Sequence, residues 1–230
     1  MPVRRGSEPA LVRAAATAAI AAIAIAGSAA ASASQSPPAS NDAAKAKPRK
    51  HHVSGQVFAD NDFELYVNGK LVAEDPIDFT PFNVVPVEFR ASYPMTFAIW
   101  AKDFADPTTG LEYDNTQTGD GGLIAAFSNG VVTNGSWRSF VTFRGPTNVA
   151  ECLADPATCH VETSPEPKDW NQPGFKAKGW AHATEHSRDE VQPHAPDFDS
   201  YDWDGAEFVW GPDLVQDNTV LVRKVFKRAP

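Results

Sequence analysis

The sequence predicts an all-β protein: a two-sheet antiparallel β-sandwich, or jelly roll, behind a signal peptide and a flexible tether. Three observations predict it. The region after Lys50 holds many short runs in which apolar and polar residues alternate with period two. Turn pairs divide these runs, among them Asn68-Gly69, Asn129-Gly130 and Asn134-Gly135. No stretch of that region sustains a period of 3.6 residues. Short alternating strands divided by turn signals are the pattern of a sandwich.

The leader comes first. Arg4, Arg5 and Arg13 form a basic head, and Ala14 to Ala26 is an uncharged run of Ala, Ile and Thr. Ala29-Ala30-Ala31 and Ala31-Ser32-Ala33 are small-x-small cleavage sites, so residues 1–33 read as a secretory signal peptide. A membrane helix is the alternative, but a span needs ~20 apolar residues and this run is shorter. Residues 34–52 read as a disordered tether: Ser34 to Lys50 is rich in Ser, Pro, Ala and Lys without apolar periodicity, and His51-His52 continues it. The expected globular domain is 53–230, and the expected location is secreted, extracellular or periplasmic.

Charge divides along the chain. Residues 1–50 carry 7 of the 20 Lys and Arg and 2 of the 29 Asp and Glu, which leaves 13 basic and 27 acidic groups, net −14, for the rest. Such a surface repels nucleic acid and anionic lipid and suits cations or neutral ligands such as sugars. Neither nucleic acid nor membrane is expected as a partner once the leader is removed. The two cysteines, Cys152 and Cys159, lie close together in a Pro-containing loop. In a secreted chain they read as a disulfide. A loop this short gains about 2–3 kcal/mol in the chain-entropy model, so the bond pins a loop rather than the domain.

The elements follow in order. Val53 to Phe58 is a first strand. Phe63–Val67 and Lys70–Ala73 form a hairpin across Asn68-Gly69, with Phe63, Leu65 and Val67 on one face. Val84 to Arg90 alternates, and Pro86 demotes it to an edge or bulged strand. Met95 to Ala101 reads as a central strand, with Met95, Phe97 and Ile99 opposite Thr96, Ala98 and Trp100. Lys102 to Asp120 is a long polar loop rich in acids. Loops of this length inside a domain are often functional. Gly121–Ser128 returns to strand, and Val131–Thr133 is expected to pair with Trp137–Phe143 across Asn134-Gly135. Glu151 to Pro173 reads as loop, Trp180–Glu185 as a short strand or helical turn, and His186 to Asp204 as irregular. Glu207–Trp210 and Thr219–Phe226 close the domain, the last strand buried on much of both faces.

Ala59–Lys70, ADNDFELYVNGK, resembles the opening hairpin of galactose-binding-domain-like jelly rolls, such as the non-catalytic modules of bacterial α-L-rhamnosidases and related glycosidases. MTFAIWAKD, GGLIAAF with NGSWRS, DWNQPGFKAKGWAHA and FVWGPD resemble further segments of that family in the expected order. The resemblance implies a β-sandwich that binds sugar or braces a neighbouring domain. In some rhamnose-binding members a calcium ion at the Asp-Asn start of the hairpin contacts sugar hydroxyls, and the matching residues are Asp60 and Asn61. Lys176-Ala177-Lys178 stands where the family favours Asp-Asp-Ser, so no role of those acids carries over.

Three constellations carry chemistry. Asp60, Asn61 and Asp62 at a strand mouth, with Asp120 and the acidic loop Asp103–Asp120, form an expected calcium site. Calcium takes about six to eight oxygens from carboxylates, amides and carbonyls. The plainer reading is a solvated turn in which Asp60 and Asn61 bond their own backbone. Trp137, Trp170 and Trp203 sit in polar stretches and are expected to stack on sugars, while Trp180 and Trp210 lie in apolar runs and read as core. His182-Ala-Thr-Glu185-His186 spells H-x-x-E-H, the inverted zinc-protease pattern. That chemistry needs a helix to bring both His to one metal, and Gly179, Ser187 and the missing apolar face argue against one. The sequence therefore favours a secreted, non-catalytic, calcium-assisted carbohydrate-binding module. The alternatives are a metal-dependent hydrolase using His182, Glu185 and His186, or a structural or adhesion protein of the cell surface.

Overall fold

A computed structural model describes residues 48–77 and 83–230; the expected signal peptide and the tether as far as Lys47 lie outside these residues. The described chain builds two antiparallel sheets. The strands are β1 (His51–Asp60), β2 (Asp62–Val67), β3 (Lys70–Glu74), β4 (Val85–Ala91), β5 (Met95–Lys102), β6 (Gly122–Phe127), β7 (Arg138–Arg144), β8 (Glu162–Thr163), β9 (Ala181–His182), β10 (Thr184–His186), β11 (Phe208–Trp210) and β12 (Asp217–Phe226). The first sheet runs β10-β11-β6-β1-β4. The second runs β3-β2-β5-β12-β7-β8, with β9 also on β7. Two short helices, α1 (Val149–Ala154) and α2 (Arg188–Val191), lie in the connections. Among the described residues no helix is long and apolar enough to cross a membrane.

The alternating residues decide the layers. Val53, Val57, Phe63, Leu65, Phe97, Ile99, Leu123, Val220 and Val222 point between the sheets with Trp137 and Trp210, forming the main core. β5 lies between β2 and β12. Its other face, Ala98 and Trp100, is covered by Trp170, Phe175 and Trp180. The outer face of the first sheet is covered in the same way: Phe58 and Ile124 pack under Val191, Ala195, Phe198 and Phe208. The last strand is thus buried from Asp217 to Arg223. Asn68 and Gly69 both take positive φ, 53° and 78°, as the β2–β3 turn requires. β4, with Pro86, is an edge strand. Cys152 and Cys159 form the expected disulfide.

The structure departs from expectation in three places. His51 and His52 belong to β1, where they pair with Ala91 and Arg90, so the first strand starts ahead of Val53. Val131–Thr133 does not pair with the Trp137 strand. It folds back on β6 through Phe127 N–H to Val131 O and Thr133 N–H to Ala125 O, and β7 crosses to the second sheet beside β12. The tight turn at Asn129-Gly130, with Gly130 at φ 80°, joins β6 to Val131–Thr133, and the Trp137 ring lies between the sheets. Finally, Glu151 to Pro173 holds the end of α1 and the short β8 rather than loop alone, as His186 to Asp204 holds α2.

Candidate metal centre

One end of the sandwich gathers the C-termini of β1 and β5 and the starts of β6 and β12. Asp60 is the last residue of β1 and pairs with Gly122. Asp103 directly follows β5, and its N–H donates to Asn218 O at 2.9 Å, which ties the loop's origin to β12. Asp120 stands just before β6 and donates its N–H to Asp103 Oδ2 at 3.0 Å. The loop that leaves β5 therefore returns to its own starting point. One carboxylate oxygen each of Asp60, Asp103 and Asp120 lies within 4.8 Å of the others.

Two further side chains close the cluster. Glu112 is buried in mid-loop, and Asn218 is fully buried at the second position of β12. A Cβ added at Gly119 would lie 2.2 Å from Asp103 Oδ2 and 3.1 Å from both Asn218 Oδ1 and Glu112 Oε1, so these oxygens converge on one small space. Asp103 Oδ1, Glu112 Oε1 and Asn218 Oδ1 are buried without a hydrogen-bond partner. The Asn218 amide is held by its nitrogen, which donates to Gly145 O at 2.8 Å and Gly110 O at 3.4 Å. Its oxygen is thereby left facing the acids. A lone pair aimed at carboxylates is unfavourable unless a proton or a cation lies between them.

The electrostatics match that crowding. Burial, then the charges of Asp120 and Glu112, push the Asp60 carboxyl up to about 8. Asp103 is raised well above the carboxylate range, first by burial, then by Glu112, Asp60 and Asp120. Burial also raises Glu112 and Asp120, although hydrogen bonds to Asp103 and Gln117 pull Glu112 down and His194 beside Asp120 pulls that residue down. The ion pairs of Arg144 and Arg188 engage Asp217 and Asp199, not these acids. Without a metal the cluster must hold protons. With a cation it becomes an all-oxygen ligand set. Carboxylates and an amide oxygen suit a hard ion such as calcium and lack the nitrogen or sulfur that zinc prefers. Asp120, the partly exposed member, also lines a cleft of about 390 Å³ with His186, Glu190, Asp213, Leu214 and Val215.

Of the expected ion ligands, Asp60 and Asp120 reach the cluster and Asn61 does not. Asn61 Oδ1 accepts the Phe104 N–H at 2.5 Å and its own N–H donates to Lys102 O, so it fastens the β1–β2 corner to the loop. Asp62 opens β2 opposite Lys102 and stands outside the triad. Asp103 belonged to the expected loop without being singled out. Glu112 carried no signal beyond being one acid among many, and Asn218 carried none.

The expected sugar platforms fare unevenly. Trp137 is fully buried between the sheets against Phe97 and Phe226, and its Nε1–H donates to Val132 O at 2.8 Å. Trp170 is buried against Tyr66 and Trp180. Neither offers a free ring face, because segments distant in sequence cover both. Trp203 is half-buried, with one face stacked on Phe198 at 4.9 Å. It lines a shallow cleft with Tyr201, Arg188 and Glu207 on the outer side of the first sheet. The H-x-x-E-H residues lie on strands of different sheets. His182 on β9 and Glu185 on β10 both bond the Gly135 backbone, and His186 bonds Gly211 O. The helix that zinc-protease chemistry requires is replaced by strand here, so the hydrolase alternative loses its geometry. Comparison of the chain with protein-family models, with curated proteins and with solved structures returned no match.

Proposed function

We propose that the protein is a secreted, non-catalytic carbohydrate-binding module whose ligand is bound with the help of a calcium ion. The observation that carries this reading is the buried oxygen cage of Asp60, Asp103, Asp120, Glu112 and Asn218, whose carboxyls repel one another and whose amide oxygen faces them unpaired. A hard cation relieves both features, and its remaining positions accept neutral oxygens such as sugar hydroxyls. Asp120, open to a cleft, is the side on which a ligand reaches the ion. The resemblance of ADNDFELYVNGK to galactose-binding-domain-like modules supports the same reading, since Asp60 is the residue it matches to calcium. The acidic net charge favours neutral sugars over anionic ones. The leader and the disulfide fit an oxidising, extracytoplasmic compartment.

The test is a glycan array probed with and without calcium chloride, beside thermal melts in both conditions. The expected result is a calcium-dependent rise in melting temperature together with calcium-dependent glycan signal, both lost in Asp60→Ala. A melting temperature indifferent to calcium sinks the ion site. A bare array in the presence of calcium sinks the sugar.

A further inference from the structure

With Trp137 and Trp170 enclosed, Trp203 is the expected sugar platform that still lines a cleft. The cleft measures about 260 Å³ and lies on the outer side of the first sheet, between Ile124, Phe198, Tyr201, Trp203 and Phe208. Pockets for drug-sized ligands begin at about 300 Å³, so this one suits a single ring rather than a larger group. Its aromatic lining is rigid. Phe208 on β11 stacks on Phe198 at 5.7 Å and 12°, and Phe198 stacks on Trp203 at 4.9 Å and 19°. Trp203 Nε1–H donates to Phe198 O at 2.9 Å, so the polar edge of the indole is satisfied without a ligand and the ring is fixed. A ring held in this way loses little freedom when the apolar CH face of a sugar stacks on it.

The polar groups around these rings fit a neutral ligand. Arg188 meets both oxygens of Asp199, at 2.6 and 3.1 Å, so these two charges cancel. Glu207 is exposed at the same cleft and bonds Thr133 through its backbone, which leaves its carboxylate to accept from hydroxyls. One acid in excess disfavours an anionic ligand. The cleft also adjoins the one at the ion site. His186 lines both, beside Phe198 and Glu207 in one and beside Asp120 and Glu190 in the other. Its Nε2 is bonded to Gly211 O at 3.0 Å, so the shared wall is fixed. Tyr201 is shared in the same way with a third cleft, of about 660 Å³, lined by Ser54 and Gln56 of β1 and Ala126 of β6. Clefts joined through shared residues form a track longer than one sugar unit.

We infer that the ligand is a linear oligosaccharide, which places one unit at the ion and stacks another on Trp203 in the cleft beyond His186. The inference rests on the carbohydrate reading above and adds to it the length of the ligand and a second subsite. The ligand class is a neutral glycan of two or more units. It presents hydroxyls to the cation and to Glu207, and a CH face to the indole. Two subsites on one chain bind it more tightly than either binds a single unit, because the second contact is made within the complex.

The experiment compares wild type, Trp203→Ala and Glu207→Gln on one array of neutral glycans graded by length from monosaccharides upward, with calcium chloride, and records each protein's melting temperature with and without calcium. Wild type is expected to bind the longer glycans at least about fivefold more tightly than their single units, the scale of one aromatic stacking contact. Trp203→Ala is expected to lose this advantage of length while it keeps the monosaccharide signal and the calcium shift. Glu207→Gln is expected to reduce the advantage and to keep the calcium shift. Equal binding of short and long glycans by wild type overturns the inference and leaves the carbohydrate reading standing. So does a folded Trp203→Ala that keeps the full advantage of length. Loss of the calcium shift in a folded Trp203→Ala also overturns it, since the ring then supports the ion site rather than a ligand. If Trp203→Ala does not fold, Glu207→Gln decides, because its side chain is exposed, and an undiminished advantage of length in that variant overturns the inference. A wild-type array that stays bare removes the carbohydrate reading and this inference together.

Discussion

At the scale of single residues, the cage combines buried groups that oppose one another, and the proposed ion would reconcile them. Asp103 is the central case. Burial, then a hydrogen bond to Glu112 and the charges of Glu112, Asp60 and Asp120, raise its carboxyl well above the usual range, which favours its protonated form in the metal-free protein. Asn has nearly the shape of that protonated acid. Asp103→Asn is therefore expected to leave metal-free stability unchanged or slightly higher, while it abolishes the calcium-induced rise in melting temperature. Calorimetry with and without calcium reads both effects, and a large loss of metal-free stability would count against the proposed repulsion. The sequence displayed Asp60 and Asp120 as oxygen donors near a strand mouth. It could not display Asn218, because an Asn at the start of a buried strand resembles any strand opening. What makes Asn218 special is the pair of backbone carbonyls, Gly145 and Gly110, that occupy its nitrogen. Those partners are remote in sequence. Asn61 misled for the complementary reason: its neighbours in sequence are acids, but its oxygen belongs to Phe104.

At the scale of elements, the acidic loop is the part that matters. Its two ends, Asp103 and Asp120, meet at the cage, its middle contributes Glu112, and the chain passes Gly119 because no side chain fits there. Gly119→Ala would place a methyl group 2.2 Å from Asp103 Oδ2. Overpacking of this kind costs about 1–3 kcal/mol. Calcium affinity, read by isothermal titration, is expected to fall at the same time, since the methyl group occupies the space on which the oxygens converge. The disulfide braces the loop from behind: Cys152 is buried with its Sγ 3.7 Å from Thr109 O. Replacing Cys152 and Cys159 together by Ala is expected to cost about 2–3 kcal/mol in urea denaturation, the value for so short a closed loop. The strands were legible because period-two alternation reports directly which face is buried, as in β2 and β4. The misassigned pairing of Val131–Thr133 shows the limit. Two turn signals lay close together, at Asn129-Gly130 and Asn134-Gly135, and the choice between them belonged to the remote strand β12, which took β7 as its neighbour. Trp137 and Trp170 were misjudged on the same ground: polar flanks say nothing about what folds over a ring.

At the scale of the whole molecule, the cage couples stability to pH and, through the proposed ion, to calcium. Asp60 ionises at 3.8 when unfolded and at about 8 when folded without metal, so the folded state binds more protons between these values. The sign follows from linkage: this group's contribution is fully present below the unfolded pKa and is lost as pH rises toward the folded pKa. Asp103, Glu112 and Asp120, all raised, act in the same sense. Asp106, lowered chiefly by its Thr108 hydrogen bonds, acts in the opposite sense, and its contribution disappears only as the solution becomes strongly acidic. The metal-free protein should therefore lose melting temperature steadily from about pH 5 to about pH 8. The proposed calcium ion would bind the ionised cage, so it should lift the melting temperature most at the alkaline end and least near pH 5, and its binding near neutral pH should release protons. Melts across this range in chelator and in excess calcium supply the comparison, and titrations in buffers of different ionisation enthalpy count the protons. A metal-free melting temperature that instead rises with pH over the window would mean that these acids are already neutralised by some group other than an ion, and the cage would then lose its reason to bind one.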